Sequence, residues 1–120
     1  MSDREMLELA AKAAGFDKFT YVEDGEGCYF DRGYEGPISG IKLQDEYRIW
    51  NPLEDDGDAL RLAVKLRMQI TPGTYNEYEA TAFRSGAAEA HEKTAMGYSI
   101  EAATRRAIVR AAAEIGRSVP

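Results

Sequence analysis

A chain of 120 residues, 44% hydrophobic and 30% charged, can bury roughly 65% of its unfolded surface in one core, so residues 1–120 are expected to form a single domain. The lone Cys28 excludes an intramolecular disulfide, and no run reaches the 18 or more apolar residues of a membrane span. With 15 basic and 21 acidic side chains, the formal charge of −6 disfavours nucleic-acid phosphates and membrane insertion has no support, leaving a cytoplasmic protein with a protein partner as the expectation.

The amino-terminal residues Met1, Ser2, Asp3, Arg4 and Glu5 lack the basic flank and apolar run of a signal peptide, which again points to the cytoplasm. Charge is unevenly spread. Residues 1–60 carry 6 basic and 15 acidic side chains (net −9), residues 61–120 carry 9 and 6 (net +3). Two halves that fold against each other would partly cancel these fields; the alternative is one acidic and one basic face.

The first helix is expected from Asp3 to Ala14. Ser2 followed by Glu5 has the spacing of a capping box, and Gly15 supplies the left-handed residue that ends many helices. Met6, Leu7, Leu9, Ala10, Ala13 and Ala14 share one side, with Arg4, Glu5, Glu8 and Lys12 opposite. Two antiparallel strands follow, around Phe19 to Val22 and Cys28 to Phe30, joined through the Asp24-Gly25 step. The stretch from Gly33 to Gly40, with Pro37, reads as a surface loop. Ile41 to Leu43 and Tyr47 to Trp50 read as two further short extended pieces.

A second helix is expected from Asp55 or Asp56 to about Met68, its acidic start favoured by the helix dipole. Leu60, Leu62, Ala63, Val64, Leu66 and Met68 cover about two-thirds of its circumference, leaving Arg61 and Lys65 outside, so this is expected to be the most buried helix. Thr71, Pro72 and Gly73 break the chain. A second hairpin, Asn76 to Arg84 and Ala87 to Lys93, turns at Ser85-Gly86. The last helix runs from Ile100 to Ile115, capped by Ser99 and terminated by Gly116. The order α-β-β-α-β-β-α gives an α+β fold, one antiparallel sheet packed with helices in the manner of an α/β/α sandwich.

The segments WNPLEDDGDALRLAVKL (residues 50–66), ATRRAIVRAAAEIG (residues 103–116) and EMLELAAKAAG (residues 5–15) resemble those of small bacteriophage and prophage proteins with the phage ABA sandwich domain. The resemblance implies a helix-sheet-helix sandwich and a bacteriophage accessory gene working inside a bacterial host cell. It carries no activity and no catalytic residues.

Chemistry-bearing constellations are sparse. The acids Asp55, Asp56 and Asp58 lack the ligand offsets of a calcium loop and read as helix-capping residues, so no metal is expected. His91 is the only histidine, which excludes paired-histidine metal motifs, and neither a nucleophile motif nor an oxyanion motif accompanies it. Cys28, between aromatic neighbours, reads as a small buried apolar group. No phosphate-cradling glycine loop is present, and no cofactor is expected.

Two features suit an interaction surface: Arg106, Arg110 and Arg117, which align within about 40° on the last helix, and Trp50, which otherwise packs as a lid on the core. The sequence favours a non-enzymatic binding module for a host or phage macromolecule. The alternatives are a virion or assembly component, or a small carboxylate-dependent enzyme using Asp31, Glu35 or Asp45. The chain is expected as a monomer or a small homo-oligomer.

Overall fold

The computed structural model describes residues 2–23, 39–43, 49–72, 79–84, 88–93 and 99–117, with the backbone alone for strand residues 71–72, 79–84 and 88–93. Helix α1 spans Asp3–Ala13. Ser2 Oγ accepts the Glu5 N–H at 3.1 Å, so the anticipated cap forms. At the other end Gly15 adopts φ +88°, the Gly15 N–H donates to Lys12 O, and the Phe16 N–H donates to Ala11 O. That paired closure satisfies carbonyls the helix would otherwise leave open and turns Phe16 back towards the core.

Strands β1 (Phe19–Val22), β2 (Gly40–Leu43) and β3 (Ile49–Trp50) form an antiparallel sheet in the order β1-β2-β3, with Phe19 opposite Leu43 and Ile41 opposite Trp50. The segment Cys28 to Phe30, expected to partner β1, lies outside the described residues, as do the Asp24-Gly25 turn and most of the Gly33 to Gly40 loop. Helix α2 (Asp56–Lys65) follows, then β4 (Gln69–Pro72), β5 (Glu79–Arg84) and β6 (Ala88–Lys93), a second antiparallel sheet in the order β4-β5-β6. Arg84 opposite Ala88 sets the register of the expected hairpin.

The α+β class with antiparallel sheet and packed helices is therefore what the chain adopts, but the single expected sheet is two three-stranded sheets among the described residues. Pro72, expected to break the chain, ends strand β4 instead. β4 is an edge strand, where the absent proline N–H removes no bond to a further neighbour.

Helix α3 spans Ile100–Arg117 and organises the rest. It packs against α1 on one side and against the sheet β4-β5-β6 on another, with α2 alongside, while α1 carries the sheet β1-β2-β3. Its buried residues are mostly alanines, among them Ala103, Ala107, Ala111 and Ala112, whose short side chains let neighbours approach from several directions. Gly116 does not terminate this helix. It lies inside the last turn, buried, where a β-carbon would overlap the backbone carbonyl of Leu9 in α1. Its role is close helix crossing, and the chain continues helically to Arg117.

Candidate functional site

The loop between β3 and α2 is tied down by side chains of α2 and α3. The Asn51 backbone N–H donates to Asp58 Oδ2 at 2.9 Å, the Asn51 amide donates to Ser39 O at 2.7 Å, and Asn51 Oδ1 accepts the Leu53 N–H at 2.9 Å. Asp55 caps α2 by accepting the Asp58 N–H at 2.8 Å. Asp58 is fully buried, and its second oxygen accepts from Arg61 at 2.7 Å. From α3, Arg105 donates to Leu53 O at 2.9 Å and to Asp56 at 2.6 Å. Thus each of the three clustered acids is engaged within the fold: Asp55 in the helix cap, Asp56 with an α3 arginine, and Asp58 with the buried loop backbone and Arg61. Among the described residues no group of three or more His, Cys, Asp or Glu side chains is placed to hold a metal ion.

This anchoring fixes which face of α2 turns inward. Asp58, Ala59, Leu62 and Ala63 are buried, and the opposite side carries Leu60 and Val64, 61% and 67% exposed. The expectation that α2 is the most buried helix is therefore overturned. An apolar arc of two-thirds of a circumference is wider than the neighbours packed on α2 can cover, and inserting the polar Asp58 into the core rotates Leu60 and Val64 out.

Beside Leu60 lies a groove of about 390 Å³ between α2 and α3. Ala59, Ile70, Ile100 and Ile108 give it an apolar lining, and Asp56, Glu101 and Arg105 stand around it. Val64, one turn along α2, extends the apolar surface. Single exposed leucines are common on protein surfaces, but apolar side chains on successive turns that continue into an apolar groove rimmed by charge make this surface the candidate contact site.

The arginines singled out from the sequence have different neighbours. Arg106 lies 3.0 Å from Asp3 of α1, Arg117 lies 3.5 Å from Glu114, and Arg110 is exposed. With Arg105 on Asp56, two α3 arginines thus meet acids from the acidic half, so the halves neutralise one another at these contacts. Trp50 is only 4% exposed and meets Phe16 edge-on, ring centroids 5.3 Å apart, so most of the indole packs in the core. His91 stands opposite Thr81 in the β5-β6 pair. Cys28, Asp31, Glu35 and Asp45 lie outside the described residues.

A smaller cleft of about 220 Å³ opens where α1, α3 and the Asn51 loop meet, lined by Asp3, Tyr21, Ser39, Glu54 and Arg106 among others. The Tyr21 phenol is held above its ordinary pKa, first by burial and then by the carboxylates of Glu23, Asp3 and Glu54, against which Arg4 acts in the opposite sense. The Arg4 guanidinium sits 5.2 Å from the Tyr21 ring centroid. This phenol stays protonated at neutral pH, so it is a hydrogen-bond donor rather than a nucleophile.

Comparison of the chain with protein-family models, characterised proteins and solved structures returns no match. What the sequence failed to signal is the exposure of Leu60 and Val64, the burial of Asp58 and the part played by Arg105. Only the conflict on α2, an acid at helix position three followed by an overly wide apolar arc, could have hinted at it.

Proposed function

We propose that this chain is a non-enzymatic binding module that holds a segment of a partner protein in the groove between α2 and α3. The observation that carries the reading is the exposure of Leu60 and Val64 beside an apolar groove in a chain of net charge −6. Covering what remains open of these two side chains would contribute about 1–2 kcal/mol each, from roughly 1.5–3 kcal/mol for a whole aliphatic side chain. Asp56 is neutralised by Arg105, so Glu101 beside the groove and the net charge of −6 favour a segment whose apolar side chains are flanked by lysine or arginine. The sequence resemblance supports a host or phage protein as the partner and a bacteriophage accessory role in the bacterial cytoplasm.

The test compares the wild-type chain with Leu60→Glu/Val64→Glu as bait in affinity purification from a bacterial host lysate. Both positions are exposed, so the double variant keeps its fold. A partner that the wild type retains and the variant loses supports the reading. Equal enrichment by both baits overturns it, and wild-type self-association that the variant abolishes reassigns the face to a homo-oligomer.

A further inference from the structure

The other flank of α2 carries a second cavity with different chemistry. At 100° per residue Arg61, Leu62 and Lys65 lie away from the Ala59 and Leu60 side that lines the groove. They border a space of about 300 Å³ whose floor is Trp50, Leu62 and Ala14, with Phe16 and Leu43 as walls. Trp50 and Phe16 meet at an interplanar angle of 85°, so one presents its edge to the other's face and together they make an aromatic corner. The two charged residues of the lining are both cations.

Those cations are held in place. The Lys65 ammonium stands 5.5 Å from the Phe16 ring centroid, an attraction to the aromatic face that keeps it over the cavity mouth. Arg61 is braced by Asp58 at 2.7 Å and Asp55 at 3.9 Å, while 62% of its side chain stays exposed. No carboxylate among the described residues pairs with Lys65, and none lines the cavity, although the first 60 residues carry a net charge of −9. An aromatic corner with two cations at its rim, in an acidic protein, suits a ligand that is flat at one end and negative at the other.

We propose that this cavity binds a small aromatic anion, an aryl carboxylate, sulfonate or phosphate, with its ring against Trp50 and Phe16 and its anionic group at Lys65 and Arg61. The volume is at the lower end of the roughly 300–1,000 Å³ of small-molecule pockets, which limits the ligand to one ring or a fused pair. This site is separate from the groove and does not depend on its occupant.

Trp50 is the single tryptophan of the chain, so its emission reports on this cavity directly. The experiment titrates 4-nitrobenzoate, and the uncharged 4-nitrobenzamide as its control, into the wild type, Lys65→Met and Leu60→Glu/Val64→Glu. Saturable quenching by the anion is expected, with a dissociation constant on the order of 1 mM or tighter for a ligand of this size. Lys65→Met should weaken the anion at least fivefold without moving the amide, and the groove variant should leave both unchanged. Arg61 is kept, because its loss would strip the buried Asp58 of a partner. Absence of saturable quenching, equal binding of anion and amide, or indifference to Lys65→Met would each overturn the proposal.

Discussion

Gly116 of α3 crosses Leu9 of α1 so closely that there is no room for a β-carbon between them. The obstruction is backbone, which cannot rotate away as a side-chain tip can. Gly116→Ala is therefore predicted to destabilise the fold by about 1–3 kcal/mol, the usual cost of overpacking, although alanine is the better helix former. Chemical denaturation measures this, and a neutral or stabilising effect would mean that α1 and α3 can separate without loss.

Asp58 joins α2 to the preceding loop. Truncating it to alanine leaves the Asn51 N–H and the Arg61 guanidinium without this acceptor, so Asp58→Ala should cost about 2–4 kcal/mol. Asp58→Asn keeps one carbonyl acceptor for the Asn51 N–H and should cost less. Denaturant midpoints of the two variants test the order.

Arg67 ends α2 in the left-handed region at φ 55°, with its N–H donating to Val64 O and the Met68 N–H donating to Ala63 O. That closure matches the one at Gly15, but a side chain occupies the position where glycine carries no penalty. Arg67→Gly should raise stability by about 0.5–1 kcal/mol, offset in part by the freer unfolded chain. Thermal unfolding of the variant provides the check.

The raised pKa of Tyr21 sets a pH dependence at the alkaline end. The folded state holds the phenolic proton more tightly than the unfolded state, so this contribution is complete below the ordinary tyrosine pKa of about 10. It is lost as pH rises through the higher folded value. Above pH 10 the wild type should lose stability more steeply than Tyr21→Phe, and the difference in their 295 nm absorbance titrations should show a phenol ionising late. Parallel stability curves would contradict this.

The helix starts were legible because a cap is a local matter. Ser2, Asp55 and Ser99 each accept the N–H three residues on, as their spacing announces. Gly15 was legible for the same reason. Gly116 was not, since a glycine near a helix end looks like a terminator unless the opposing helix is known. The wide apolar arc of α2 left its inward face undetermined, because Asp58, which decides it, gains its meaning only from Asn51, seven residues earlier. Thr71, Pro72 and Gly73 read as a break in the chain, whereas pairing with β5 makes Gln69 to Pro72 an edge strand. The groove combines α2, α3 and Ile70 of β4, and no local pattern reports that meeting.

If the face bearing Leu60 and Val64 receives a protein partner, charge placed on that face must release it. The most direct measurement is side-by-side affinity purification with the wild type, Leu60→Glu/Val64→Glu, and Arg110→Glu as a control on α3 outside the groove lining, each bait first shown to be folded by circular dichroism. The expected result is a partner retained by the wild type and Arg110→Glu and depleted at least tenfold by the double variant. Retention of the same partners by all three baits would contradict it.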